Sequence, residues 1–157
     1  MNEDPFNYSD LLPLNYKAKN GLNSDLEEIY KNTENTTIDW KKREIALKKL
    51  GRICLGNQGK SDVFLRFFNG QICSNLDAQL ADLRSSVMKE ACRIVSLCAC
   101  ELGILIEVGA IHMLTQYVLF KIAGNVNKVI SDSSSKCILN LVRYVHSIKV
   151  ITNVCEQ

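Results

Sequence analysis

One small-then-apolar pattern recurs along this chain at nearly constant spacing. Ala46, Leu50 and Ile53 recur as Ala91, Val95 and Cys98, 45 residues on, and as Ser134, Ile138 and Leu141 a further 43 residues on, with Leu102 falling on Val145. A small residue where two helices approach closely, then apolar residues one and two turns later, describes the inner face of a helix. Each of these helices follows another with the same period, so the repeating unit is a helical hairpin. Such a hairpin cannot bury its apolar face alone, and copies of it stack on one another.

The rest of the chain divides around these units. Residues 1–24 carry both prolines, Pro5 and Pro13, and read as an irregular lead-in to an array over residues 25–157. A short helix is predicted from Asp25 to about Lys31, with Ser24 or Asn23 as cap. Asp39 is the predicted N-cap of a helix with Arg43, Ala46, Leu47, Leu50, Ile53 and Cys54 inward, stopped by the run Leu55–Lys60. Ser61 caps the next, which carries Phe64, Phe67, Phe68, Ile72, Leu76 and Leu80. After a break at Ala81–Ser85, Val87, Ala91, Ile94, Val95, Cys98 and Leu102 line a helix that Gly103 ends. A third pair runs from Leu105 to about Ile122 and, after a turn at Ala123–Asn127, from Val129 to about Ser147. Ile148–Gln157 begins a further helix. Hairpins repeating every ~40–47 residues have HEAT or armadillo form. The expected fold class is an all-α HEAT-repeat solenoid of about three helical hairpins.

Composition removes several alternatives. The chain has 157 residues, 46% hydrophobic and 23% charged, which is ordinary for one globular domain. Only 8 glycines and 2 prolines argue against a turn-rich all-β fold. A net charge of +2 is too balanced for a phosphate-backbone binder, so no nucleic acid is expected. The apolar runs break before ~18 residues, predicting no membrane insertion, and the acidic, polar start does not read as a secretory signal. The seven cysteines lack the paired spacing of a metal site; Cys98 and Cys100 would point to different sides of a helix. They read as buried, reduced thiols. His112 and His146 stand alone in apolar stretches. The acidic residues Glu90, Glu101 and Glu107 have no convergent partner, and no cysteine has a neighbouring histidine held by a third group. Gly56–Lys60 lacks Walker spacing and a preceding strand. No catalytic residue, cofactor or metal is expected, and the chain is expected to be soluble and intracellular.

Three segments resemble a known family. Asp39-Trp40-Lys41-Lys42-Arg43-Glu44-Ile45-Ala46-Leu47-Lys48-Lys49-Leu50 resembles the first repeat of TOG domains, the tubulin-binding HEAT arrays. Gln79–Cys92 is similar to the second repeat of CLASP-type TOG domains, where a D-L-R-S step (here Asp82–Ser85) leads into K/R-E-A-C (Lys89–Cys92). Asn127–Ile130 followed by Ser133–Ile138 resembles the third. The likeness covers roughly residues 25–150. TOG domains have six repeats, well over ~200 residues, so the chain is expected to be either the N-terminal portion of one or a reduced member, with a stacking face left uncovered at its C-terminal end.

The resemblance implies a function. TOG domains hold a tubulin dimer along an edge built from the turns inside each repeat, here Thr36–Lys41, Ala81–Ser85 and Gly124–Lys128. It makes Trp40 an aromatic anchor, with packing of the first turn against the previous helix as its other reading. Lys41, Lys42, Arg84 and Lys128 would add positive charge, or else form a solvated face, and Ser85 and Asn127 complete the edge. Arg84 has a second reading, as a cap of its own repeat or a partner of Asp82, and Arg43 reads as a brace between repeats. The implied role is a non-enzymatic, CLASP-like microtubule stabiliser in the cytoplasm, on the microtubule cytoskeleton with the spindle as one candidate array. Its partners would be the tubulin dimer or the lattice, beside other cytoskeletal or adaptor proteins. Two alternatives stay open: a generic HEAT scaffold gripping a peptide through Lys48, Lys49, Arg93 and Asn140, and a TOG-like docking unit without tubulin affinity.

Overall fold

A computed structural model describes residues 6–115 and 123–156. Its helices are α1 (Lys19–Thr33), α2 (Trp40–Leu55), α3 (Asp62–Arg66), α4 (Cys73–Leu80), α5 (Ser85–Leu102), α6 (Glu107–Thr115), α7 (Lys128–Val145) and α8 (Ile148–Cys155). A π-helical turn, Phe67–Gln71, joins α3 to α4, and a 3₁₀ turn, Gly103–Ile106, joins α5 to α6. No strand occurs among the described residues.

The helices form two layers. In the second-helix layer α5 lies between α2 and α7; in the first-helix layer α4 contacts α1 and α6, and α6 contacts α8. This is the stacked-hairpin solenoid that the repeat predicts. The small anchors Ala46, Ala91 and Ser134 are buried, as are Leu50, Ile53, Val95, Cys98 and Leu141. Burying one such leucine or isoleucine side chain stabilises the array by about 1.5–3 kcal/mol.

Local chemistry fixes the helix ends. Asp39 accepts from the Lys41 and Lys42 amides at 2.9 and 3.4 Å, and Ser61 from the Phe64 amide at 3.3 Å, so both caps form as expected. Gly103 ends α5 at φ 53°, a conformation that disfavours a side chain. His146 ends α7 in the left-handed region, and Ser147 then caps α8.

Several boundaries differ from the sequence reading. Helix α1 spans Lys19–Thr33, beyond the expected Asp25–Lys31 at both ends, and its cap position, Ala18, offers no side-chain acceptor. The single helix expected from Ser61 to Leu80 is interrupted: the Ile72 amide bonds the Phe67 carbonyl, five residues back, at 3.1 Å. The inserted residue turns Asn69 toward the next hairpin. There its side chain donates to the Leu105 carbonyl at 2.8 Å and accepts from the Gly109 amide at 2.9 Å. The far end of the helix expected to reach about Ile122 lies outside the described residues.

The apolar runs also require a correction. Ser85–Leu114 is long and apolar enough, by length and composition, to cross a membrane. In this fold the stretch is α5, the 3₁₀ turn and α6, bent at Gly103, with Val87, Met88, Ile94 and Val95 fully buried against neighbouring helices.

All seven cysteines are free thiols; five are buried, Cys100 is half-buried and Cys155 is exposed, against the expectation that all lie inside.

Candidate functional site

Three in-register helix starts create the edge on which the expected site residues sit. Cys98 interacts with Cys54 near the ends of α5 and α2, and Cys92 with Cys137 about midway along α5 and α7. The starts of α2 and α5 also meet, Arg84 against Trp40. The end of α5 meets the end of α7, where a Cβ on Gly103 would lie 3.2 Å from the Tyr144 carbonyl oxygen. The three helices therefore run parallel, and their N-terminal turns fall in a row.

The first two turns are locked together from beneath. Arg43 is buried; its Nε donates to the Ile38 carbonyl at 2.9 Å and its Nη1 to Gln79 at 2.8 Å and to the Asp82 carboxylate. Gln79 in turn donates to the Thr33 carbonyl at 2.9 Å. Arg43 therefore braces the first two hairpins, as expected. Asp82 also accepts from the Arg84 amide at 2.6 Å, which sets the backbone leading into α5. As to the alternative roles of Arg84, this residue stands at the cap position of α5 without a side-chain cap bond and meets Asp82 through its amide, while the Asp82 ion pair is with Arg43.

Above this brace lies Trp40, half-buried at the first position of α2. The Arg84 guanidinium sits 5.1 Å from its ring centroid and the Lys41 ammonium 5.6 Å. Both distances fall within cation–π range. Lys42 and Ser85 are exposed beside them. On the third turn Asn127 caps α7, accepting from the Val129 amide at 3.1 Å, and Lys128 follows it into solvent. Trp40, Lys41 and Arg84 thus form one cluster, with Lys42 and Ser85 at its margin; Asn127 and Lys128 stand on the next turn of the row. A cleft of about 540 Å³, lined by Thr36, Arg43, Ala81, Asp82, Leu83 and Arg84, separates the first two turns.

Sequence reasoning missed two residues here. Leu83 is 97% exposed and Val126 fully exposed, each at the tip of its turn. They are 43 residues apart, the spacing of the repeat itself, and Ile38 holds the equivalent place on the first turn. The repeat alignment contained the signal. Covering two such exposed side chains by a partner would remove their apolar area from water.

The residues of the competing peptide-gripping reading are mostly engaged. Lys49 pairs with Asp25 at 3.1 Å and Glu28 at 2.9 Å, Arg93 with Glu90 and Asp10, and Asn140 is buried. His112 does not stand alone: its Nε2 lies 2.8 Å from Asp77. Burial, with the Asp77 charge nearby, pushes the Cys73 thiol up to about 11, away from the thiolate a nucleophile requires. No group of three metal-ligating side chains occurs among the described residues.

Comparison with known proteins places this geometry in a family setting. Residues 22–157 match the family described as CLASP N terminal. A CLIP-associated protein of Arabidopsis thaliana is 30% identical over 119 residues, covering 76% of this chain and 8% of its own length. CLIP-associating protein 1 of Xenopus tropicalis is 27% identical over 156 residues (96% and 10%), and Protein STU1 of Kluyveromyces lactis 26% over 151 residues (91% and 11%). The chain spans about a tenth of the length of these relatives.

Proposed function

The chain belongs to the CLASP family, whose N-terminal region it matches, and from that membership we propose that it is a non-enzymatic module that binds tubulin through its row of turns. The observation that carries this reading is the Trp40–Arg84 contact, which joins an aromatic ring from one hairpin to a cation from the next on one exposed edge. Lys41, Lys42, Ser85, Asn127 and Lys128 extend that edge as polar and positive groups, complementary to an acidic partner. Leu83 and Val126 add apolar contacts that gain most when a partner covers them. The partner is the tubulin dimer or the microtubule lattice, and the place of action is the cytoplasmic microtubule array, where the module contributes to stabilisation.

The peptide-gripping scaffold is the weaker reading, because Lys49 and Arg93 already hold ion-pair partners. A docking unit without tubulin affinity shares the fold and differs only in the outcome of binding. A titration of purified tubulin dimer at two salt concentrations, wild type beside Lys42→Glu/Lys128→Glu, separates them. Tubulin binding predicts an affinity that falls with salt and falls further in the charge-reversed variant. A folded wild type that leaves tubulin free at both salts would identify the docking unit.

A further inference from the structure

The segment before α1 is not loose chain. Residues 7–16 cross the groove between α2 and α5, with Leu11 buried in the core cluster. They turn at Tyr8–Leu11, where the Leu11 amide donates to the Tyr8 carbonyl at 2.9 Å, and then run without helix to Tyr16. The groove receives the main chain of this strap at five points. Arg93 donates to the Asn7 carbonyl at 2.9 Å and Arg52 Nε to the Leu12 carbonyl at 2.9 Å, while the Leu14 amide donates to the Arg52 carbonyl at 2.9 Å. Asn57 then clamps Tyr16 as a strand would: its side-chain oxygen accepts from the Tyr16 amide and its side-chain nitrogen donates to the Tyr16 carbonyl, both at 2.9 Å.

The groove is also shaped and charged for this guest. A Cβ on Gly56 would lie 1.9 Å from the Leu14 carbonyl oxygen, so only glycine admits the strap there. A Cβ on Gly51 would crowd Ile94 of α5 at 2.7 Å and only touch Leu11, at 3.4 Å, so this glycine serves the close approach of α2 and α5 that forms the groove floor. Arg93 is oriented from behind by Glu90, at 3.0 and 2.8 Å, and grips Asp10 with both outer nitrogens at 2.6 and 3.1 Å. Parts of the guest stay at the surface: Leu11 is buried and Tyr8, Leu14 and Tyr16 are half-buried, but the Asp10 side chain is 55% exposed and Leu12 69%. Recognition combines main-chain hydrogen bonds, one acid, the buried Leu11 and partly buried apolar side chains that include Tyr8, Leu14 and Tyr16, as in peptide binding to a groove.

We propose that the α2/α5 groove is a binding site for an Asp-Leu-x-x-Leu segment of a partner protein, and that residues 7–16 are its exchangeable intrachain occupant. Asp10 and Leu11 supply the acid and the buried leucine, and Leu14 the last position. The strap is tethered to the site, so a partner competes against a high effective concentration and gains access when the strap is released. The site is separate from the turn edge, since the strap crosses the end of α2 opposite Trp40.

The test uses the full chain and a fluorescent peptide of residues 6–17 as probe. Release of the strap by Asp10→Lys/Leu11→Asp should let the peptide bind one-to-one, at least about tenfold tighter than to wild type. Adding Arg93→Ala to the released chain should weaken that binding by about tenfold or more. A released chain that keeps its helical circular dichroism and does not bind peptide overturns the proposal. So does one that loses its helices and is not restored by saturating peptide, and so does one that fills the groove by pairing with a second copy, read as a doubled mass in light scattering.

Discussion

The Arg84 guanidinium lies 5.1 Å from the centroid of the Trp40 ring, although the two residues belong to different hairpins. The contact rests on the Arg43–Asp82 ion pair below it, which holds the first two turns at a fixed separation. The exposed edge therefore inherits its geometry from a buried one.

Removing the buried brace should cost far more than removing any edge cation. Arg43→Ala leaves Asp82 and Gln79 without their buried partner and is expected to destabilise the chain by about 3–5 kcal/mol. Arg43→Met with Asp82→Leu should recover much of that loss, because it removes both charges together. Denaturant unfolding of the three chains reads the difference.

The turn tips should behave oppositely. Leu83→Asp and Val126→Asp alter side chains that touch solvent, so stability should stay within about 0.5 kcal/mol of wild type. Tubulin affinity should drop for both. A stability loss above that range would mean that these side chains pack in solution.

The strap carries a pH signature. Hydrogen bonding from Arg93 holds the Asp10 carboxyl below its ordinary value of 3.8. A carboxyl depressed in the folded state stabilises fully above the unfolded value and loses that contribution as pH falls through the depressed one. The melting-temperature gap between wild type and Asp10→Asn should therefore be open at pH 6 and close below about pH 3.8.

Thiol reactivity should sort by burial. Cys155 is exposed, whereas Cys54, Cys73, Cys92, Cys98 and Cys137 are buried, and neighbouring thiols push Cys92 and Cys98 well up. With a colorimetric disulfide reagent, Cys155 should react first in the native chain and the five buried thiols only on unfolding. Cys155→Ser should remove the fast phase.

How much of this was legible in sequence depended on whether the signal was local. Asp39, Ser61 and the inward face of α2 were readable because a cap and its helix are neighbours in the chain. The π-helical turn was not, since Phe68, Ile72, Leu76 and Leu80, four residues apart, fit an unbroken helix equally well. The long-range partners left no periodic trace: Asp77 for His112, Asp82 for Arg43, and Asp10 for Arg93 are each brought in by a different element. The prolines predict an irregular lead-in over residues 1–24, yet α1 already begins at Lys19, and what holds residues 7–16 lies dozens of residues away in the chain. Leu83 and Val126 follow from the same repeat spacing when it is carried from the buried face onto the turns.

Tubulin binding by wild type beside Trp40→Ala, both confirmed as folded by circular dichroism, tests the central claim most directly. The turn-edge account predicts that purified tubulin dimer co-elutes with wild type in size exclusion and that Trp40→Ala lowers affinity by at least about tenfold, the loss expected of an interface anchor. Equal affinity in the two chains, or no complex with a folded wild type, would contradict it.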